Sequence, residues 1–305
     1  MLSHSGPQAT SNLVGFIGLG VMGRPMTLNT LKATEAGTVY IHDRTKDRVE
    51  DLLSAGAGWA ATPRELAERV DIIILMLPDL PQVEQVLSGP DGLTAGINKP
   101  TTLVISSTSS ATGIRELADR LSTETNGLVH VVDAPVSGGE EGAKAATLSI
   151  LVGGNDEDVA KVMGTLSHMG NPRHLGPLGS GEIAKFCNQL IVASTIMALG
   201  EAAVLADRSG LDLEALFDIL SGGYAGSRIL ETRKKRLATE DYSPSGAAKY
   251  MVKDLMFARE EAQKTGTNAG QLHYLLNAFT DLTERGFGDQ DIAVTRAYVE
   301  SLGKI

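Results

Sequence analysis

Short apolar runs alternate with amphipathic stretches from Leu13 to about Leu175. The run Asp71–Leu77 (DIIILML) is almost continuously apolar, as is typical of a strand buried on both faces of a sheet. Such runs predict strands at Leu13–Ile17, Thr38–His42, Asp71–Leu77, Thr102–Ile105, Leu128–Val132 and Thr147–Val152. Helical periodicity predicts helices at Val21–Lys32, Asp47–Leu53, Pro63–Val70, Pro81–Leu87 and Gly113–Leu121. Alternating β and α units imply a parallel sheet with helices on both faces.

The pattern changes near Pro172, Gly176, Pro177 and Gly179, a cluster that we interpret as a hinge. A proline-free stretch from about Gly181 to Ser209 then predicts one helix, on the order of 40 Å long. It is apolar on more than one side, which indicates burial between domains or subunits. Further helices are predicted at Asp212–Leu220, Ser227–Leu237, Ala247–Lys264, Ala269–Arg285 and Ile292–Leu302. The expected domains are 1–176, α/β, and 177–305, all-helical and joined through the long helix, with ligands in the cleft between them.

Composition narrows the possible partners. The 27 basic and 37 acidic residues give a net charge of −10, and aromatic residues make up 4%, so we expect no nucleic-acid partner. One cysteine, Cys187, excludes an intrachain disulfide and a cysteine-based metal cluster. The six histidines show no metal-ligand spacing, so no metal is expected.

The chain also lacks sequence signals for a membrane or for export. No apolar run approaches the ~20 residues of a membrane span. Met1–Asn12 is polar, lacks the features of a secretory signal and is expected to be a short disordered tail. Together with the single cysteine, this predicts a cytoplasmic protein in a reducing compartment.

The first chemical signal is the loop Gly18-Leu19-Gly20-Val21-Met22-Gly23, which matches G-x-G-x-x-G. It follows a predicted strand and opens a predicted helix, the context that a dinucleotide-binding loop requires. The first glycine permits a tight turn, the second lets the backbone approach a pyrophosphate, and the third lets helix and strand pack closely. We therefore expect a Rossmann-type domain that binds NAD or NADP.

The choice between NAD and NADP stays open. Asp43 ends the second strand, 20 residues past Gly23, where a carboxylate accepts hydrogen bonds from a ribose 2′-hydroxyl and favours NAD. Arg44 and Thr45 follow directly and are able to bind the 2′-phosphate of NADP. We give NAD a slight preference. Leu77-Pro78 and Ser107-Thr108 stand at the carboxyl ends of the predicted strands Asp71–Leu77 and Thr102–Ile105, where further cofactor contacts are expected.

Four segments, in this order, resemble the β-hydroxyacid dehydrogenase family, which includes 3-hydroxyisobutyrate dehydrogenase and tartronate semialdehyde reductase. They are GFIGLGVMGRPM at the N-terminus, DAPVSGGEEGAKAATLSILVGG over Asp133–Gly154, GSGEIAKFCNQ over Gly179–Gln189 and KDLMFA over Lys253–Ala258. GGYAGSRIL, over Gly222–Leu230, resembles the tartronate semialdehyde reductase branch most. The resemblance covers nearly the whole chain. It implies reversible, NAD(P)-dependent interconversion of a short β-hydroxy acid and its semialdehyde, with tartronate semialdehyde and glycerate as the leading pair.

Reduction of a carbonyl needs a hydride at carbon and a proton at oxygen, and a lysine ammonium near that oxygen is able to supply the proton. Lys185 lies at the start of the long helix, with Asn188 three residues on. The resemblance implies that Lys185 is the catalytic acid/base and that Asn188 orients the substrate. From spacing alone, a solvated lysine at a helix start is the simpler interpretation.

The resemblance also implies where the substrate binds. The loop Ser137-Gly138-Gly139 follows a strand and offers a hydroxyl and backbone amides to a carboxylate, although an ordinary tight turn has the same residues. Lys253 matches a family lysine near the nicotinamide and the substrate.

Two positions depart from the family pattern. Relatives often carry an aspartate before the Ser-Thr pair, in the pattern D-x-S-T, whereas this chain has Ile105 at the aspartate position. Arg228 stands where close relatives carry a small polar residue, and a guanidinium there is able to bind a second anionic group of the substrate. A surface arginine without a ligand is the simpler interpretation.

The expected partners are therefore a small carboxylate substrate and further copies of the chain, in a homodimer or homotetramer. The alternatives are a 3-hydroxyisobutyrate or other β-hydroxyacid dehydrogenase that acts on a dianionic substrate, an imine-reductase-like enzyme, and a catalytically silent NAD(P)-binding scaffold. Imine-reducing relatives replace the lysine that this chain keeps as Lys185. Silent relatives need additional binding domains, basic segments or a lost lysine, and none of these features is visible in the sequence.

Overall fold

The computed structural model describes residues 12–303, so the predicted tail lies outside the described residues except for Asn12. The chain divides into two compact units, one ending at Lys185 and the other beginning at Phe186. This division falls inside a helix, later in the chain than the predicted boundary at 176/177.

A nine-stranded sheet forms the centre of the first unit as far as the structure describes it, in the order β3-β2-β1-β4-β5-β6-β8-β7, with β9 paired to β8. The strands β3, β2, β1, β4, β5 and β6 run parallel to one another. Their bounds are β1 Val14–Ile17, β2 Val39–His42, β3 Gly58–Trp59, β4 Ile72–Leu75, β5 Thr101–Ile105, β6 Val129–Asp133, β7 Val136–Ser137, β8 Leu148–Gly153 and β9 Gly170–Gly176.

Side chains alternate between the two faces of this sheet, as the strand period of two requires. Ile72 and Ile74 of β4 pack into one core with Met26 of α1, whereas Ile73 and Leu75 pack into the other. Both faces are covered by helices, which explains why the β4 sequence is continuously apolar. The helices of this unit are α1 Gly23–Ala33, α2 Glu50–Ser54, α3 Pro63–Arg69, α4 Leu80–Leu87, α5 Leu93–Gly96, α6 Ala111–Glu124, α7 Gly139–Ala145 and α8 Asp156–Ser167.

Short polar side chains begin several of these helices. Thr62, Asp79 and Ser110 each precede a helix and accept a hydrogen bond from the backbone amide three residues further on. Such caps satisfy one of the amides that a helix start leaves without a partner. They fix the helix starts close to the carboxyl ends of the preceding strands.

The predicted hinge is wrong in its first half. Pro172 and Gly176 lie in β9, which pairs in parallel with β8. A proline is tolerated there because β9 lies at an edge of the sheet, where one side of the strand needs no backbone donor. Glycines and prolines marked this segment as a break, but its backbone continues the sheet.

The long helix is α9, Ser180–Arg208, and it runs without interruption from the first unit into the second. It is long and apolar enough to cross a membrane by length and composition alone. The expectation that no segment is long and apolar enough to span a membrane is therefore corrected. One such helix is weak evidence for a membrane span, because the core helix of a globular protein has the same composition. The other helices of the second unit are α10 Leu213–Ser221, α11 Arg228–Thr239, α12 Tyr250–Thr265, α13 Gly270–Leu282 and α14 Thr295–Ser301.

The second unit is helical throughout its described residues, apart from short turns and one isolated bridge. Its core includes fully buried Phe217, Leu230, Leu255 and Phe279. Helix α13 ends before the predicted bound at Arg285, because the chain widens into a π-turn and Gly286 takes a positive φ of 89°. The predicted fold class is confirmed: a Rossmann-type parallel-sheet domain followed by an all-helical domain.

Candidate active site

The parallel strands place the predicted cofactor residues at the carboxyl end of the sheet. Gly18 follows β1, Asp43 follows β2, Leu77 lies two residues past β4, and Ser107 lies two residues past β5. Because parallel strands all have their carboxyl ends on the same side of the sheet, these loops lie together. Open α/β sheets bind their ligands at the carboxyl ends of their strands.

Three glycines of the first loop have different surroundings. Gly18 takes a positive φ of 95°, and a Cβ there would collide with the backbone carbonyl of Met76. A Cβ on Gly23 would collide with the carbonyl of Gly18, whereas within residues 12–303 no atom beyond the adjoining residues lies within 4 Å of the Cβ position of Gly20. Two glycines therefore close the turn, and the exposed Gly20 leaves open space above the backbone. This arrangement fits the pyrophosphate of a dinucleotide. Leu19, Val21 and Met22 form the rest of the loop.

The end of β2 carries both the acidic and the basic candidates for the adenosine ribose. Asp43 is half-buried, and its carboxylate accepts a hydrogen bond of 3.0 Å from the amide of Thr45. The side chains of Arg44 and Thr45 are exposed. Both groups stay at the strand end, so this geometry does not separate NAD from NADP.

The turn after β5 contains buried hydroxyl groups. Ser106, Ser107 and Ser109 are each at most 2% exposed, and their Oγ atoms have no hydrogen-bond partner within the described part of the chain. Buried hydroxyls without a partner are costly, so this turn is suited to a ligand that satisfies them. Ile105 packs into the apolar core beside the turn. Thr108 is half-buried there, and Pro78 lies exposed after β4.

The predicted carboxylate loop and the predicted lysine come together in the first unit. Ser137 ends β7, and Gly138 and Gly139 take positive φ values of 131° and 62°. Both glycines are exposed, which leaves their backbone accessible. The Nζ atom of Lys185 donates a hydrogen bond of 2.8 Å to the carbonyl oxygen of Val136, one residue before this loop. A buried ammonium therefore lies next to the loop that is expected to hold a carboxylate.

Sequence reasoning gave no role to Asp133, which ends β6 and is fully buried. Its carboxylate accepts hydrogen bonds from the backbone amides of Gly179, at 2.7 Å, and Glu182, at 2.8 Å. Burial raises the pKa of Asp133 above its usual value, although these amide hydrogen bonds act in the opposite direction. The available signal was its place as the first residue of the DAPVSGG segment.

In the second unit, Asn188 belongs to a row of polar side chains. Its Nδ2 donates to Oε1 of Gln189 at 2.9 Å, and Nε2 of Gln189 donates to a carboxylate oxygen of Asp254 at 2.5 Å. The ammonium of Lys253 lies 3.8 Å from the other oxygen of Asp254 and 5.8 Å from the ring centre of Phe257. Predicted residues Asn188 and Lys253 are thus connected through Gln189 and Asp254.

Arg228 is the first residue of α11, as expected, because the Ser227 side chain caps this helix. Its side chain is 81% exposed and donates a 3.0 Å hydrogen bond to Glu231 on the next turn. Within the second unit the guanidinium therefore already has an anionic partner. Among residues 12–303, no group of three or more His, Cys, Asp or Glu side chains is arranged to hold a metal ion.

Comparison with known proteins gives matches over most of the chain. Residues 13–186 match the family described as the NAD binding domain of 6-phosphogluconate dehydrogenase. Residues 179–298 match the family described as NAD-binding of NADP-dependent 3-hydroxyisobutyrate dehydrogenase.

Individual relatives span most of the chain. A 2-hydroxy-3-oxopropionate reductase of Escherichia coli is 39% identical, covering 84% of this chain and 86% of its own. An NAD-dependent L-serine dehydrogenase of Pseudomonas aeruginosa is 34% identical, covering 93% and 96%. The crystal structure of a 3-hydroxyisobutyrate dehydrogenase from Salmonella typhimurium superposes with a TM-score of 0.83 at 28% identity, covering 93% and 98%.

The fold, the glycine loop and these matches define a dinucleotide-binding oxidoreductase. The chain belongs to the β-hydroxyacid dehydrogenase family.

Proposed function

We propose that this protein interconverts a short β-hydroxy acid and its semialdehyde, and that tartronate semialdehyde and glycerate are its substrate pair. One observation carries the proposal: the Lys185 ammonium lies 2.8 Å from the carbonyl of Val136, beside the loop of Ser137, Gly138 and Gly139. The name of the Escherichia coli relative, 2-hydroxy-3-oxopropionate reductase, supports this choice of substrate.

The residues of the chain divide the work of the proposed reaction. The nicotinamide cofactor, when bound, supplies the hydride in reduction and accepts it in oxidation. Lys185 stabilises the negative charge that develops on the substrate oxygen and donates a proton to that oxygen; in oxidation its neutral amine takes the proton back. Ser137 and the backbone of Gly138 and Gly139 bind the carboxylate, and Asn188 and Lys253 orient the rest of the substrate.

For the cofactor, we propose NAD in preference to NADP. The carboxylate of Asp43 favours a ribose 2′-hydroxyl and repels a 2′-phosphate. The Pseudomonas aeruginosa relative is named as NAD-dependent, whereas the family matched by residues 179–298 is named after an NADP-dependent enzyme. Arg44 and Thr45 are the residues that would permit NADP.

The test is the rate of NADH and NADPH consumption with tartronate semialdehyde, measured in parallel. We expect fast turnover, with NADH as the better cofactor. The semialdehyde of 3-hydroxyisobutyrate and a semialdehyde with a second carboxylate should be slower. Faster reduction of either one would replace the proposed substrate, and preference for the dianionic compound, lost in Arg228→Ala, would assign Arg228 to its second charge.

Two other functions make different predictions in the same assay. An imine reductase would consume NADPH with cyclic imines and not with semialdehydes. A silent scaffold would bind the cofactor and turn over neither. The retained lysine beside the 137–139 loop supports the dehydrogenase over both.

We also propose that the chain forms a homodimer or homotetramer in the reducing environment of the cytoplasm, where its single cysteine, Cys187, stays a thiol. Large apolar side chains on helices of the second unit support self-association: Ile191, Leu205 and Ile219 are at least 66% exposed. Light scattering should give a mass of at least two chains, and a monomer would contradict the proposal.

A further inference from the structure

We infer that Asp133 is a positioning residue for Lys185: its carboxylate fixes the start of α9 to the end of β6 and thereby holds the Lys185 ammonium at the substrate loop. This inference rests on the proposed role of Lys185. It adds a residue that does not itself contact the substrate.

Both oxygens of the Asp133 carboxylate are used for this attachment. Oδ1 accepts the amide of Gly179 at 2.7 Å, just before α9, and Oδ2 accepts the amide of Glu182 at 2.8 Å, in its first turn. The side chain is fully buried. A buried carboxylate is costly unless its oxygens are hydrogen-bonded, so these two bonds hold the group and the helix start together. Negative charge at a helix N-terminus is also favourable.

The same two segments meet a second time, three residues further along each. Val136 follows Asp133 by three residues, and Lys185 follows Glu182 by three residues. The Lys185 Nζ donates to the Val136 carbonyl at 2.8 Å. One helical turn separates the two attachments on α9, so a shift of the helix start moves the ammonium as well.

The neighbouring glycines leave space for this carboxylate. Gly153 lies directly opposite Asp133 in the antiparallel pair of β6 and β8. A Cβ on Gly153 would collide with Oδ1 of Asp133, and a Cβ on Gly181 would collide with the Leu151 carbonyl and lie 2.8 Å from Oδ2 of Asp133. The backbone therefore approaches the Asp133 side chain closely at Gly153 and at Gly181, which is consistent with a requirement for aspartate at position 133.

Asparagine has the right shape but the wrong polarity. Both partners of Asp133 are N–H donors, and the asparagine NH₂ group would point at one of them. Asp133→Asn therefore loses one attachment and keeps the other. The matched control is Asp158→Asn, because Asp158 is also buried in the first unit but binds Asn155 and Lys161 at the start of α8.

The first measurement is steady-state kinetics with the substrate that the wild-type enzyme reduces fastest. For Asp133→Asn we expect kcat to fall about 10- to 100-fold, with KM and the cofactor Kd within about threefold, because misplaced groups slow the chemical step. The primary isotope effect with deuterated reduced cofactor should rise, since a slowed hydride step becomes more rate-limiting. Asp158→Asn should lose stability while keeping the wild-type isotope effect and kcat per folded molecule.

The second measurement needs no turnover. Acetic anhydride labelling, mapped by mass spectrometry, should modify Lys185 several-fold faster in Asp133→Asn than in the wild type, with Lys144 as the unchanged internal reference. If Asp133→Asn does not fold, Gly153→Ala replaces it, because its Cβ would collide with the Asp133 carboxylate and with the amide nitrogens of Ser180 and Gly181 at the same attachment.

The outcomes separate the two ideas. Wild-type labelling of Lys185 in Asp133→Asn, or a lower kcat with an unchanged isotope effect, would overturn the positioning role. If the wild-type enzyme reduces no semialdehyde but Asp133→Asn still exposes Lys185 to labelling, the proposed function fails and the positioning role stands.

Discussion

The two units hold their candidate site residues in different ways. In the first unit, the partners belong to the backbone: Lys185 donates to the carbonyl of Val136, and Asp133 accepts two backbone amides. In the second unit the partners are side chains, since Asn188 donates to Gln189 and Gln189 donates to Asp254. A backbone partner is fixed by the sheet or helix that contains it, whereas a side-chain partner is able to rotate or flip. The first unit therefore holds its candidate residues rigidly, whereas the second holds its candidate residues through partners that are able to adjust.

The largest expected effect is at Lys185, in the first unit. Lys185→Ala should reduce kcat by at least about 1,000-fold, because the proton donor and the positive charge at the developing alkoxide are both lost. Cofactor affinity should stay within about threefold, as measured by isothermal titration. Lys144→Ala is the control, because Lys144 is an exposed lysine of α7 paired with Glu140 in the same unit. An unchanged rate in Lys185→Ala would remove this lysine from the mechanism.

The second prediction separates two glycines of one loop. Gly18→Ala should unfold at lower temperature, with a loss of about 1–3 kcal/mol, because alanine is strained at its positive φ and collides with the Met76 carbonyl. Gly20→Ala should keep the wild-type melting temperature, because no atom of the described residues, apart from its chain neighbours, lies within 4 Å of its Cβ. Its cofactor Kd should nevertheless rise about tenfold or more, since the methyl group occupies the space expected for the pyrophosphate. Normal cofactor binding by Gly20→Ala would place the pyrophosphate elsewhere.

The third prediction concerns the row of polar side chains in the second unit. In Asp254→Asn, Gln189 loses a partner that only accepts hydrogen bonds, so the orientation of the Gln189 amide, which accepts from Asn188, is less well fixed. The substrate KM should rise about 3- to 10-fold with a smaller change in kcat, as initial-rate kinetics will measure. Asp281→Asn is the control, because Asp281 pairs with Arg285 elsewhere in the same unit. Equal KM values in the two variants would show that the side-chain row does not orient the substrate.

The smallest effect is one of stability against pH, at a carboxylate of the first unit outside the site. Burial alone would raise the pKa of Asp158, but hydrogen bonds from Lys161 and Asn155 and the charge of His130 outweigh it and lower that pKa below 3.8. The charged form therefore stabilises the fold above pH 3.8, and this contribution is lost as the pH falls through the lowered value.

Urea denaturation of the wild type and of Asp158→Asn checks this sign. The wild type should be the more stable at pH 7, and the difference should shrink as the pH falls below 3.8. A difference that grows in acid would mean that the interactions of this carboxylate do not lower its pKa.

Local patterns were enough to predict much of the fold. The β4 strand, the Gly18–Gly23 loop and the helix start at Arg228 each depend on residues close together in the sequence. Local patterns did not predict the role of Asp133, because its partners, Gly179 and Glu182, lie 46 and 49 residues away. The hinge predicted at Pro172 and Gly176 was wrong for the same reason, since the strand that contains them is defined by its pairing with β8.

The attachment of Lys185 to a carbonyl also bears on how this scaffold tolerates change. Every amino acid at position 136 supplies the same carbonyl oxygen, so replacing the buried Val136 by another apolar residue that fits the core keeps this acceptor for the lysine. Asp133, Gly153 and Gly181 form a block that offers no such freedom, because a Cβ on either glycine would collide with backbone atoms as well as with the Asp133 carboxylate. Efforts to redirect the enzyme to new substrates should therefore spare this block and diversify the side-chain row of Asn188, Gln189 and Asp254 instead.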